Sequence, residues 1–165
     1  MSRSPGPTLV DFESRSRCAL KKRGGRNYWA DPSTEAICAV LYDTATQEVS
    51  TWVPGEPVPR LTCAVSHDPA PFDRFAADAY GWEYDTWLRT SDMAQRAGLP
   101  GGLDKMAKAW LGIEKDKVGA KLTLSLSRLS RAKATRGQLP EITEDVRARV
   151  MGYCARDVEI MAEAW

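Results

Sequence analysis

Residues 8–14, Thr-Leu-Val-Asp-Phe-Glu-Ser, decide how the chain is read. Thr8 to Glu13 predicts a short strand behind a leader rich in Pro and Gly. Side chains alternate along a strand, so Asp11 and Glu13 share one face and Phe12 takes the other. Two neighbouring carboxylates repel unless a cation lies between them. Hard oxygen donors of this kind suit Mg²⁺ or Mn²⁺. A solvated strand end is the plainer account of so short a pattern, so the rest of the chain must decide.

Working outward, Arg15 to Arg26 is basic and ends in Gly24-Gly25. It is expected as a solvated hairpin loop, the alternative being a guide for a polyanion toward Asp11 and Glu13. Glu35 to Tyr42 predicts a second strand and Val49 to Val53 its hairpin partner. Pro54 to Arg60 holds three prolines in seven residues, which excludes a helix there. Leu61 to Ser66 predicts a buried fourth strand and Trp87-Leu88 a fifth. Helical spacing appears at Phe72, Phe75, Ala76 and Ala79, and a short helix is expected from Ser91 to Ala97. Leu103, Met106, Ala107, Trp110 and Leu111 form an apolar face, which places Trp110 in the core. Residues 115–140 are rich in Lys and Arg with little period, and are expected as a mobile connection. Thr143 caps a last helix with Glu144 and Asp145 in its first turn. The fold class is α/β, a mixed five-stranded sheet flanked by helices, in one domain over 8–165 after a flexible leader at 1–7.

Composition removes several classes of function. A chain of 165 residues suits one domain, and 23 Lys plus Arg against 22 Asp plus Glu leave a net charge of +1. Any nucleic-acid contact must therefore be local. The longest apolar run, Ala36 to Tyr42, has seven residues, well short of the ~20 that span a bilayer, so no membrane association is expected. Met1 to Pro7 has no apolar segment to serve as a signal peptide. Cys38 and Cys63 sit in apolar runs as small hydrophobes, and no CxxC pair accompanies the single histidine, His67. Zinc sites and GxSxG-type triads are disfavoured on that count. Carboxylates remain to carry chemistry.

Two further placements matter. Asp73 opens the helix after the fourth strand, where an acid is ordinarily a partner of the helix dipole. Tyr153 and Asp157 lie four apart on the last helix, stacked on one face. Asp157 shares that face with the apolar stripe, where an unpaired carboxylate is costly. A metal or a polar contact between helices would relieve it.

In this order the pattern resembles the DEDD (DnaQ-like) 3′–5′ exonucleases, in the tyrosine-bearing DEDDy branch. The likeness is closest to the proofreading exonuclease domains of phage-type family A DNA polymerases. Val10-Asp11-Phe12-Glu13-Ser14, Ser66-His67-Asp68, Phe72-Asp73-Arg74 and Tyr153-Cys154-Ala155-Arg156-Asp157 carry it. Asp31-Pro32-Ser33-Thr34-Glu35, Trp52-Val53-Pro54-Gly55, Gly98-Leu99-Pro100-Gly101 and Lys115-Asp116-Lys117 extend it over residues 8–165. The resemblance implies a ribonuclease H-like sheet and a two-metal phosphodiesterase using two Mg²⁺ or Mn²⁺ ions. By the same likeness Asp11, Glu13 and Asp157 hold the first ion and Asp11 the second, Asp73 acts through bound water, and Tyr153 orients or helps deprotonate the attacking water. Phe12 and Ser14 line the terminal nucleotide. The implied substrate is a single-stranded DNA 3′ end, with RNA as an alternative, and the products are nucleoside 5′-monophosphates. A DNA polymerase is an implied partner, the chain is expected as a monomer, and the setting as the cytoplasm of a bacterial or phage-infected cell. No polymerase module follows Trp165, so a stand-alone trimming nuclease and a proofreading module apart from its polymerase both stay open.

Two departures qualify the resemblance. The family has Asn where Asp68 stands; Asn donates to a phosphate, whereas an ionised Asp repels it. Asp68 is therefore a substrate-side position, an extra outer ligand, or the mark of a domain that binds without cutting. The family also carries a helix between its third and fourth strands. Residues 54–60 leave only an extended strap of at most ~25 Å, so one sheet face is expected to be thinly covered. Arg128, Arg131, Lys133 and Arg136 form a second basic patch, and the six tryptophans are expected mainly in the core.

Overall fold

A computed structural model describes residues 6–68, 71–129 and 137–165. Its strands are β1 (Thr8–Arg15), β2 (Glu35–Asp43), β3 (Val49–Trp52), β4 (Arg60–Ser66) and β5 (Glu83–Arg89). They form one mixed sheet in the order β3-β2-β1-β4-β5. The pairs β1–β2 and β2–β3 are antiparallel, while β1–β4 and β4–β5 are parallel. The architecture is α/β, a five-stranded mixed sheet flanked by helices in the ribonuclease H-like arrangement.

β2 is covered on both faces, which is why Ala36 to Leu41 is an unbroken apolar run. β1 alternates instead: Leu9 belongs to one core, Val10 and Phe12 to the other. The long helix α6 (Glu144–Ala164) crosses β1 and β2 and buries Val150, Cys154, Val158 and Met161 against Leu9 and Val40. Thr143 caps it as the sequence leads one to expect, accepting from Val146 N at 3.3 Å.

The opposite face is closed by aromatic rings. From Trp52, at the end of edge strand β3, the chain passes through 53–59 to β4 without a helix. Thin cover does not follow. Phe12 lies 4.7 Å from Trp82 and 6.1 Å from Trp52, and Trp52 lies 5.1 Å from Tyr80, all between ring centroids. Such rings bury about 150–250 Å² each, enough to stand in for the apolar stripe of a helix. α2 (Phe72–Ala79) adds Ala76 and Ala77 to this core.

Three expectations about single segments change. The basic stretch expected as a loop contains α1 (Leu20–Trp29), two short helical pieces broken at Gly24, whose φ of +76° is not helical. Trp110 is not core but 54% exposed. After α3 (Thr90–Arg96) and α4 (Leu103–Met106), the chain winds through a wider π turn at Ala107–Leu111. The wider turn rotates Trp110 off the face that a regular 3.6-residue helix would give it. Residues 117–126 are helix α5 (Lys117–Leu126), opened by Asp116 accepting from Val118 N at 2.8 Å, not a mobile connection. Arg131, Lys133 and Arg136 of the second basic patch, and residues 1–5 of the leader, lie outside the described residues. Pro7 is tied down: its carbonyl accepts from Thr44 N at 3.1 Å and Thr44 Oγ1 at 2.8 Å. Cys38 is fully buried and Cys63 half-buried. Among the described residues no helix is long and apolar enough to cross a membrane.

Candidate metal centre

β1 outruns β4. Their pairing covers only Thr8 and Leu9, so the rest of that edge of β1 is open where its carboxylates stand. On the other side the β1–β2 register shifts between Glu13 and Ser14, because Ile37 is an extra residue in β2. Bulges of this kind re-aim side chains beside functional sites. Asp11 and Glu13 thereby meet Asp157 of α6, and oxygens from the three carboxylates lie within 4.8 Å of one another.

Asp73 stands in the first turn of α2 and does not join that triad. Its Oδ1 accepts the free Phe12 N–H at 3.1 Å, making good the ladder bond that β4 does not supply. Asp68, just past β4, accepts from Asp73 N at 2.9 Å through Oδ2 and so caps α2. Ser91 Oγ donates to the Asp68 carbonyl at 2.5 Å.

These groups are held against their charge. Burial and then the neighbouring Asp157 push Asp11 from 3.8 up to about 7. Burial, Asp11 and Asp157 raise Glu13 well above its ordinary value, and burial with Asp11 and Asp68 does the same for Asp73. Burial raises Asp157 against the pull of Lys115. Burial also raises Asp68, opposed by the N–H groups of Asp73 and Phe72.

Lys115 lies in the Lys115-Asp116-Lys117 motif but carries no site role among the sequence expectations. Its Nζ lies 2.6 Å from Asp157 Oδ2 and 5.1 Å from the centre of the Tyr153 ring. Burial pulls the ammonium down, but the Asp157 carboxylate more than offsets this and holds it above its usual value. In a run of Glu114, Lys115, Asp116 and Lys117, nothing local marks the inward-facing lysine. Tyr153, one turn before Asp157, is 7% exposed; burial and the Asp157 charge raise its phenol far above the ordinary range.

The two residues expected to line a nucleotide face elsewhere. The Phe12 ring is 3% exposed in the aromatic core, and only its N–H reaches the site. Ser14 is buried with its Oγ 2.9 Å from Tyr28 Oη. His67 is held between Thr90 Oγ1 at 2.7 Å and the Gly101 carbonyl at 3.2 Å. A cavity of about 830 Å³ opens beside Tyr153 and Lys115, with Lys21, Lys108, Lys117 and Asp104 on its walls.

The donor set fits a hard divalent cation. Asp11 Oδ2 and Asp157 Oδ1 are buried with no hydrogen-bond partner among the described residues. Orphaned anionic oxygens at the meeting point of three carboxylates are what a cation of the Mg²⁺ class satisfies. No protein-family model matches the chain, and no curated protein matches it.

Proposed function

We propose that the protein is a metal-dependent 3′–5′ exonuclease that releases nucleoside 5′-monophosphates from single-stranded DNA ends. The observation that carries this reading is the meeting of Asp11, Glu13 and Asp157 with orphaned oxygens on two of them, beside Tyr153. Asp11, Glu13 and Asp157 would hold one divalent ion and Asp11 would contribute to a second. Bound there, Mg²⁺ or Mn²⁺ supplies polarisation of the phosphodiester and acidification of water.

The chain's own groups do the rest. Tyr153 keeps its proton, because burial and Asp157 raise its phenol so far. In the metal-free protein that favours orienting water by a hydrogen bond over taking its proton. Lys115 sets the position of Asp157 by direct pairing and offsets one of the converging negative charges. Lys21, on the wall of the adjoining cavity, would meet backbone phosphates without reading sequence, whereas Lys108 and Lys117 there are paired with Glu114. A polymerase acting on the same 3′ end is the matching partner, and the bacterial or phage-infected cytoplasm the matching setting.

A second reading, a domain that binds single strands or a polymerase without cutting, draws on Asp68 and on Lys115, which already pairs one oxygen of Asp157. Incubation of a 5′-labelled single strand with the protein and Mg²⁺ or Mn²⁺ separates the two. The enzyme gives a one-nucleotide ladder that disappears with EDTA and in Asp11→Ala. An intact strand that is nevertheless shifted in a gel at high protein concentration overturns it in favour of binding alone. Parallel DNA and RNA strands decide the sugar.

A further inference from the structure

The segment after β1 carries its charge differently from the rest of the surface. Between Glu13 and Asp31 the chain has six cations and no acid. Arg15 pairs with Glu35. Arg17, Lys21, Lys22, Arg23 and Arg26 are all exposed, and none of them forms an ion pair among the described residues. Elsewhere, exposed cations such as Arg60, Lys117 and Arg156 stand against Glu83, Glu114 and Glu159. Asp31, the acid that follows, accepts from Ser33 N at 2.9 Å and from Ser33 Oγ at 2.6 Å through a single oxygen. Five like charges on residues 17–26 therefore repel one another without a carboxylate paired to any of them.

This segment is fixed to the candidate site. Its buried residues are Gly25 and Tyr28. Tyr28 Oη lies 2.9 Å from Ser14 Oγ, one residue past Glu13, and Gly25 sits against Phe75 of α2. Lys21 lines the same cavity as Lys115 and Tyr153. The cationic face thus begins at the cavity wall and continues over both pieces of α1. Protein interfaces place apolar side chains at their centre and are depleted of charge there. Here Leu20, 39% exposed, is the one large apolar side chain in residues 17–26. A chain of phosphates needs no apolar anchor and answers each cation with a charge of its own.

We propose that Arg17, Lys22, Arg23 and Arg26 dock the phosphate backbone of a single strand, several nucleotides back from the 3′ end. The position of that end at the carboxylates rests on the exonuclease reading; the docking itself is binding alone. It makes the protein prefer strands long enough to reach α1, whatever their bases.

Fluorescence anisotropy of 5′-labelled thymidine strands of two and twelve nucleotides tests this across a salt series. Ca²⁺ replaces Mg²⁺ as the hard divalent ion, and strand length is checked on a gel afterwards. The triple variant Lys22→Gln, Arg23→Gln, Arg26→Gln changes exposed side chains only, and its melting point reports that it is folded. It is expected to bind the dodecamer at least about tenfold more weakly than wild type, with the slope of log affinity against log salt lower by about 2 for three lost cations. The dinucleotide, too short to reach α1, should bind both proteins alike. The charge-keeping variant Lys22→Arg, Arg23→Lys, Arg26→Lys should hold the dodecamer within about threefold of wild type, since phosphates are met by charge. A neutral variant that binds the dodecamer like wild type with the same slope overturns the docking, as does a wild type that does not bind it. An equal loss for the dinucleotide also overturns it. Competition by oligoglutamate of equal charge, as effective as by unlabelled dodecamer, overturns it in favour of an acidic protein. A dodecamer held through these cations but never shortened with Mg²⁺ upholds the docking while the exonuclease reading fails.

Discussion

Replacing Asp11 by Asn should make the metal-free protein more stable. The side chain keeps its shape, and a charge leaves a cluster in which Asp157, Glu13 and Asp73 all press on it. Folding raises the Asp11 carboxyl from 3.8 to about 7, so the folded state prefers the protonated form. Its contribution is fully present below 3.8 and is lost as the pH rises through about 7. At pH 8 that span of three units is worth roughly 4 kcal/mol. Asp11 is half-buried, and screening reduces the figure to about 2–4 kcal/mol. For a domain of this length each kcal/mol moves the melting point by about 2–4 °C, so Asp11→Asn should melt about 5–15 °C higher in EDTA at pH 8. The assay is calorimetry from pH 5 to pH 8, with and without Mn²⁺. The wild-type midpoint should fall with rising pH in EDTA more steeply than that of the variant, and Mn²⁺ at a hundred times its dissociation constant should return about 2.7 kcal/mol to the wild type alone. A variant that melts at or below the wild type in EDTA, or that gains as much from Mn²⁺, refutes the picture of a charge-strained site.

Lys115→Met leaves Asp157, whose side chain is 3% exposed, without its cation; the metal-free protein should lose about 3 kcal/mol. Excess Mn²⁺ should close most of the gap, and a variant as stable as wild type in EDTA contradicts the pairing. Gly119→Ala puts a methyl group 2.5 Å from Tyr153 Cδ2 and 2.6 Å from Asp116 Oδ2. It should cost about 1–3 kcal/mol by overpacking and lower the cleavage rate by displacing Tyr153; an unchanged melting point rejects the close approach of α5 to α6. Tyr153→Phe keeps the ring and loses the hydroxyl, and cleavage should fall about a hundredfold as the water loses its orientation. Its pH–rate profile should keep the wild-type shape, because a phenol that stays protonated adds no titration; a lost basic limb would show that Tyr153 is a base.

What could be read from residues alone follows the range of the interactions involved. Asp11 and Glu13 were visible as a pair because strand alternation is local, and Tyr153 with Asp157 because a helical turn is local. Their meeting depends on the Ile37 bulge and on the placement of α6 across β1, which no short pattern reports. Lys115 stood in a visible motif, but its pairing was hidden for the same reason: its partner lies 42 positions further on. Trp110 misled because the regular helical period was assumed through a π turn, and residues 117–126 because an amphipathic face is weak where Lys117 and Lys121 interrupt it. Gly24-Gly25 suggested a turn, and Gly24 does break α1 there; Gly25 also lets α1 approach α2, where an added methyl group would stand 3.1 Å from the Phe75 ring. The link at 53–59 was rightly read as lacking a helix, but the cover came from Trp52 meeting Tyr80 and Trp82 from a distant stretch of chain.

A cluster of mutually repelling carboxylates would spread apart on a soft scaffold, and the fold prevents this by mounting each on a constrained element. β1 is bonded on both sides at its start, by β2 and β4. Asp157 sits between Cys154 and Val158 on the buried stripe of a 21-residue helix, so it cannot withdraw without lifting that stripe from the sheet. The Cys154 thiol also donates to the Asp11 carbonyl at 3.1 Å, tying α6 to β1 beside the acids. Asp73 is held by its bond to Phe12 N, and the Phe12 ring is wedged among Trp52 and Trp82 on the other face. The aromatic core is therefore part of the site's support, since loosening Phe12 would release Asp73 as well. The overall charge of +1 fits the same logic. Five acids are concentrated at one end of β1, while α1 carries Lys21, Lys22, Arg23 and Arg26, of which Lys21 reaches the cavity wall. The cavity walls carry both signs, since Asp104, Glu114 and Asp116 line them too and Lys108 and Lys117 are paired with Glu114. On the proposed reading, a cation at the cluster would offset the converging acids, and its loading would precede the binding of a polyanion.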